Sequence, residues 1–426
     1  MTVHRAGAFL GRLRKVIGLE LVSLIAWQIA NYAIPLALLP YFGRVLGVSG
    51  FGVYGIALGV LNVCMMITDW GFLYTSQRAL VEASGEIARE RDIVWETATA
   101  KLMLALLCSL ALFAIVAWLG FKSPYAIPLL AGIPALIANA LSLEWLLRAK
   151  EMFSTFAVAS VAGRAFSIPF ALLTVKSPYD SAWAIASVSF GLLLAAVLSI
   201  VLARGVKFGA IQFPVTRALY RIRDGLPLFI PLAAVNLYTV MIPPLVGVLS
   251  GPSQAGLYTG ADRMKAAARM LFYPLTIVAY PRINNLRVND PVALRSYLPR
   301  LITVMFFSSA AICSVLALSA KLVVYMFLGQ DFYEAVIVLQ VLAAGAFVSS
   351  LSTLLGTNVL VALGMNRAFL VSHLIGIGIG VAVVIAMTNA HGALGAAIGV
   401  LFGESVTLAV LAISIVRSEP WVFGRA

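Results

Sequence analysis

Apolar runs recur about a dozen times along this chain, each near the length that crosses a bilayer as a helix, with short polar connectors between them. Backbone amides find no water in the hydrocarbon core, so a spanning segment must bond within itself as a helix or sit in a closed barrel. Barrel strands alternate polar with apolar residues, and these runs do not. Only 11% of the 426 residues are charged, against roughly a quarter in soluble domains. A mean hydropathy of +1.00 excludes an ordinary soluble enzyme, a disordered chain and a disulfide-built module. The expected fold is all-α: a polytopic membrane protein with about 12 transmembrane helices in two six-helix bundles around a central cavity.

Hydropathy places helices near 17–42, 51–75, 97–120, 125–147, 153–175 and 181–203. Six more follow near 226–249, 256–280, 301–328, 333–363, 367–389 and 392–416. The expected organisation is a basic cytoplasmic N-terminus (1–16), a bundle over 17–203, a basic connector over 204–225, a second bundle over 226–416 and a tail over 417–426. The run from about Val16 to Phe42 is too long for a signal peptide and reads as a retained helix. Ahead of it, Val3–Lys15 reads as a short amphipathic interfacial helix.

The chain carries 30 Lys and Arg against 17 Asp and Glu, a net charge of +13. Nucleic acid is one explanation of such a balance; collection of Lys and Arg on the cytoplasmic side of a membrane protein is the better one. With the N-terminus inside, outer loops keep only Arg44, Lys122 and Lys176, and Arg164, Arg263, Lys265, Arg269 and Lys321 fall at membrane depth. All other cations, Lys101 among them, then lie on the cytoplasmic side. A miscounted helix would invert every later loop, so the asymmetry supports twelve crossings with both ends inside. The basic excess is thus an orientation signal, and no nucleic-acid partner is expected.

Pro40, Gly47, Ser49, Gly52, Tyr54 and Ala57 recur 204 residues later as Pro244, Gly251, Ser253, Gly256, Tyr258 and Ala261. Each half holds an even number of helices, so the halves share orientation, as in transporters built from parallel repeats. Pro35 and Pro40, then Pro227, Pro231, Pro243, Pro244 and Pro274, each remove a helical hydrogen bond and mark either hinges or fixed kinks. Cys64, Cys108 and Cys313 have no metal-like spacing and read as packing residues.

The segments YFGRVLGVSGFGVYGIA (Tyr41–Ala57), TDWGF (Thr68–Phe72), GPSQAGLYTGADRMKAAARM (Gly251–Met270), VAYPRINNL (Val278–Leu286), FLGQDFYEAVIVLQVLA (Phe327–Ala343) and LLGTNVLVALGMNRAF (Leu354–Phe369) together resemble one family. It is that of the polysaccharide or O-antigen flippases in the multidrug/oligosaccharidyl-lipid/polysaccharide exporter superfamily. The resemblance implies a transporter that moves a polyprenyl-diphosphate-linked oligosaccharide, an O-antigen or exopolysaccharide repeat unit, from the inner to the outer leaflet of the bacterial inner membrane. It implies no cofactor, and as partners the lipid-linked oligosaccharide, membrane lipids and other polysaccharide-assembly membrane proteins.

Ionisable groups at membrane depth are expensive and therefore candidates for function. In the eighth helix, Tyr258, Asp262, Lys265 and Arg269 are spaced four, three and four residues and share a face, with Arg263 one position round. Such a face suits a diphosphate, Arg as a bidentate fork and Lys as a point charge. The alternative is an internally paired face, Asp262 offsetting Lys265 or Arg269. Arg164 is a lone cation in the fifth helix, either a phosphate or sugar contact or half of an ion pair across the bundle. Asn31 and Asn62 are candidates for sugar hydroxyls. Asp69 and Glu404 are candidates for a coupling ion, Asp69 alternatively a helix-end residue.

Glu144, Arg148 and Glu151 read as a local salt-bridge ladder, Lys321 as an interfacial cation, Arg44 as a turn anchor and His373 as a packing residue. No metal-ligand spacing and no phosphate loop is present, and no catalytic residue is assigned. Two rival functions remain: a multidrug cation extruder, which prefers an acidic cavity, and a membrane polysaccharide polymerase or glycosyltransferase, which generally needs a long outer loop or clustered surface acids.

Overall fold

The computed structural model describes Val3–Phe423 apart from residues 204, 205 and 207. The cytoplasmic charges expected at Arg204, Lys207 and Arg425, and the side chains of Arg5, Arg12, Arg14 and Lys15, lie outside the described residues. Among those described there is no strand. Eight stretches are long and apolar enough to cross a membrane. Two of them, Ala26–Glu82 and Asn366–Ser418, are each a pair of rods meeting at a glycine, and residues 215–289 add another such pair.

Among the described residues the resulting twelve rods are α1 (3–46), α2 (48–82), α3 (Ile87–Leu119), α4 (Ala126–Ala149), α5 (Phe153–Thr174), α6 (Ser181–Leu202), α7 (215–250), α8 (252–289), α9 (291–327), α10 (Ala335–Leu360), α11 (366–391) and α12 (393–418). The expected interfacial helix over Val3–Lys15 is instead continuous with α1. The sharp breaks between rods fall at Gly47 (φ 63°), Gly251 (φ 84°) and Gly392 (φ 54°). These conformations are left-handed and open to glycine at little steric cost. The backbone stays helical across Pro35, Pro40, Pro243 and Pro244. Pro274 opens the second part of α8 at its first turn, where its missing N–H leaves no bond unmade.

The chain divides into two compact units, Met1–Leu38 with Val60–Ala233, and Leu39–Gly59 with Ala234–Ala426. The segment Leu39–Gly59 thus groups with the second unit, whereas the hydropathy reading placed it in the first bundle. The reason is a tight glycine seam. A Cβ on Gly52 would lie 1.7 Å from the Pro252 carbonyl oxygen, and one on Gly256 would lie 2.1 Å from that of Val48. These are equivalent positions in the 204-residue repeat, as are Gly55 and Thr259, which also touch. Small residues let membrane helices approach backbone to backbone where hydrophobic burial offers no drive.

The same rule joins α11 to α12: a Cβ on Gly403 would meet Gly380, and one on Gly399 would meet Val384. At the Gly392 break, Gln254 Oε1 accepts the Ala393 amide at 2.8 Å. Arg44 anchors the C-terminal end of α1 by donating to the Met326 carbonyl at 2.9 Å.

In the first unit, the TDWGF segment is a turn inside α2. Trp70 (φ 42°) and Gly71 (φ 76°) take left-handed conformations. The Trp70 indole N–H donates to Ile222 O at 2.7 Å, and its ring stacks on Phe229 with centroids 4.0 Å apart. The described part of the connector folds onto the start of α3: Arg217 pairs with Asp92 at 3.0 Å, Arg221 with Glu96 at 2.9 Å, and Trp95 Nε1 donates to Phe208 O.

Candidate functional site

Each unit holds its own polar chamber among the helices. In the second unit, α8 presents Tyr258, Lys265 and Arg269 to a chamber of about 20 Å³, one water in size, whose other polar walls are Tyr238, Thr239, Ser349 and Glu404. The four-residue spacing places Lys265 and Arg269 a turn apart on the same face. Tyr258 is almost fully buried, and its hydroxyl stands near Asp262 and Glu404. Asp262 pairs with Lys265 at 2.5 Å, so the internally paired alternative holds for that lysine. Among the described residues Arg263, Arg269 and Glu404 enter no ion pair, and the buried Tyr238 hydroxyl makes no hydrogen bond. One carboxylate pair is therefore closed, while a guanidinium and a second carboxylate face the chamber unpaired.

In the first unit, a chamber of about 60 Å³ is lined by Asn139, Ser142, Glu144, Ser160, Arg164 and Ser199 among apolar residues that include Phe156 and Leu192. Glu144 pairs with Arg148 at 2.6 Å, and the Arg148 guanidinium lies between the rings of Trp27 and Phe156 at 4.9 and 4.8 Å. The expected ladder stops there, because Glu151 leaves the helix in a left-handed turn (φ 56°). Arg164 enters no ion pair among the described residues, and its Nε is buried without a hydrogen-bond partner.

Asp69 is committed within this unit. Its Oδ1 takes both the Lys101 ammonium and the Asn139 amide at 3.1 Å. Lys101, assigned above to the cytoplasmic side, has a side chain only 5% exposed, and burial on α3 makes it the partner of Asp69 rather than a loop charge. Asn31 and Asn62 are half-buried in the same unit, and neither lines its chamber. His373 bonds Phe369 O within its own helix, as a packing residue does, and the three cysteines are buried and free.

Hydropathy and charge spacing overlooked Tyr238, Asn139 and the buried pairing of Lys101. Tyrosine and asparagine barely perturb an apolar run. The Lys101 partner is 32 positions away, far outside any helical spacing. A further groove of about 720 Å³, lined by Lys321, Tyr325, Gln330 and Tyr333, lies beside the 318–336 segment.

The family described as a polysaccharide biosynthesis protein matches residues 19–287. Two relatives share the name "Putative O-antigen transporter". The protein of Escherichia coli K12 is 27% identical over 354 residues, covering 82% of this chain and 85% of that protein. The one of Shigella dysenteriae is 24% identical over 379 residues, covering 88% and 94%. Among solved structures, the lipid II flippase MurJ in an inward closed conformation superposes with a TM-score of 0.74 at 16% identity, covering 93% of this chain and 87% of that one. An inward-facing multidrug resistance MATE transporter gives 0.66 at 16%, covering 96% and 100%. At these identities the likeness establishes a shared fold, that of helical membrane transporters.

Proposed function

As the chain belongs to the polysaccharide biosynthesis protein family, we propose that it is a flippase for a polyprenyl-diphosphate-linked oligosaccharide, an O-antigen or exopolysaccharide repeat unit. It carries this lipid from the inner to the outer leaflet of the bacterial inner membrane by alternating access, with both termini cytoplasmic. Family membership, the names of the two relatives and the transporter fold support a transporter over an enzyme.

The observation that carries the reading in this chain is the α8 wall, where Lys265 and Arg269 face one chamber with Tyr258 and Glu404. Arg269 has a free fork for a phosphate oxygen, and Lys265 adds a point charge once the Asp262 pair opens. Arg263, Arg164, Asn31 and Asn62 are further candidate contacts for diphosphate or sugar. Glu404 is the better coupling candidate, since Asp69 already holds Lys101 and Asn139. The multidrug extruder reading keeps the support of the MATE-like fold, but two cations against one carboxylate on the chamber wall disfavour a cationic cargo.

The test is transport by the purified protein in liposomes, using a fluorescent polyprenyl-diphosphate oligosaccharide and a membrane-impermeant quencher. The label is expected to change leaflet only in protein-containing vesicles. Absence of transfer, with extrusion of a cationic dye instead, overturns the proposal. A pH gradient is expected to change the rate for wild type but not for E404Q. Cysteine labelling at Ser253 from outside and at Asn289 from inside checks the orientation.

A further inference from the structure

The Arg164 chamber in the first unit has a rigid, cationic wall. Arg164 is rigidly mounted: a Cβ on neighbouring Gly163 would lie 2.4 Å from the Ala195 amide nitrogen, so α5 and α6 meet there backbone to backbone. Ser167 Oγ donates to the Arg164 carbonyl at 2.6 Å, tying the same turn. Such a mount holds a side chain in one geometry, as a binding group requires.

The charges around it are otherwise spoken for. Glu144, whose charge also reaches Arg164, is paired with Arg148, and Asp69 with Lys101, which leaves the five charges with a net positive balance. What remains is the Arg164 guanidinium, which enters no ion pair among the described residues and whose Nε, like that of Arg148, is buried without a hydrogen-bond partner. A cation left this way at membrane depth is costly and calls for an acceptor. The residual charge of the cluster is positive, which favours an anion over a metal cation. Its free volume of about 60 Å³ is about that of two waters. Space of that size beside the guanidinium takes a single carboxylate or one phosphate group. Ser142 and Ser160 supply hydroxyls on the same walls.

We propose that this chamber is a binding site for one oxyanion group, with the Arg164 guanidinium as its main donor. That the oxyanion is carried by the transported glycan lipid rests on the flippase reading; the binding itself does not.

The test uses the purified full chain in detergent, with glucuronate, inorganic phosphate and glucose as probes, read by hydrogen exchange and thermal unfolding. Glucuronate or phosphate is expected to slow exchange within residues 139–164 and to raise Tm by several degrees at saturation, while glucose does neither. A response to glucuronate alone points to a sugar acid as the source, and a response to phosphate alone to a phosphate. R164Q should abolish the protection and R164K should weaken it. Equal protection by glucose, protection confined to other segments, or an unchanged R164Q overturns the site. The comparison of probes on the wild type decides even where R164Q fails to fold. A protein that flips lipid but ignores both acids sinks this site and leaves the transport reading standing; one that binds but never flips does the reverse.

Discussion

Gly52 and Gly256, equivalent residues of the internal repeat, lie against each other's helices with backbone atoms where side chains would stand. A methyl group on either runs into a carbonyl oxygen of the partner helix, and neither obstacle is a flexible side chain that could swing away. G52A and G256A should each destabilise the protein by about 1–3 kcal/mol or more, the range for overpacking a close contact. Thermal unfolding in detergent measures this, and a Tm equal to wild type in both variants would show that the seam is slack. Gly47, where a Cβ meets nothing within 4 Å, offers a contrast: G47A should cost only the strain of its left-handed backbone.

Neutralising the α8 wall separates binding from folding. K265Q with R269Q should lower lipid transfer by roughly tenfold or more, since each charge-assisted contact contributes about 1.5–3 kcal/mol. Membrane insertion, checked by fractionation, should be unchanged. Normal transfer by an inserted double variant removes α8 from the binding site. K265Q alone also strands Asp262, so D262N/K265Q serves as the control that removes the pair without leaving a lone carboxylate.

The Asp69–Lys101 pair is asymmetric: the carboxylate is 52% exposed and the ammonium 5%. Removing the carboxylate strands a buried charge, while removing the lysine leaves a carboxylate that water can reach. D69N is therefore expected to destabilise by about 1–3 kcal/mol, more than K101M does. The double variant D69N/K101M should recover part of the loss. A double-mutant cycle by chemical unfolding checks the order, and K101M as the worse variant contradicts it.

Asp180, just ahead of α6, receives the backbone amides of Lys176 and Ser177 at 2.8 and 2.7 Å. Those amide donors, with the Ser177 hydroxyl, hold its carboxyl below the usual carboxylate range. A lowered pKa means the turn's support is complete above the unfolded-state value near 4 and is lost as pH falls through the folded value. The protection of the 176–180 amides, measured against the intrinsic exchange rate at each pH, should be high at neutral pH and should fall in acid. D180N should lack that protection at both, and a D180N turn as protected as wild type at neutral pH refutes the assignment.

Helix number and the repeat were legible because both are local or periodic signals. Apolar length marks a crossing, and a glycine turn between two such lengths marks a reversal. The cationic face of α8 was legible for the same reason, through spacings of three and four. The grouping of Leu39–Gly59 with the second unit was not, because it depends on a contact 200 positions away that leaves no trace in hydropathy. Nor was the fate of Lys101, read as an orientation charge because a lysine near the start of an apolar run is ordinarily at the water boundary. Its partner comes from another helix.

The Gly52–Pro252 contact also sets a timetable for biogenesis. At about 5–20 residues per second, the chain emerges for roughly 10–40 seconds between the making of Gly52 and the arrival of Pro252. Throughout that interval the tips of α1 and α2 are in the bilayer without the helices they are shaped to meet. The nascent first half is therefore a waiting state, and a premature stop after α6 leaves a fragment whose Gly52 face has no Pro252 to pack against.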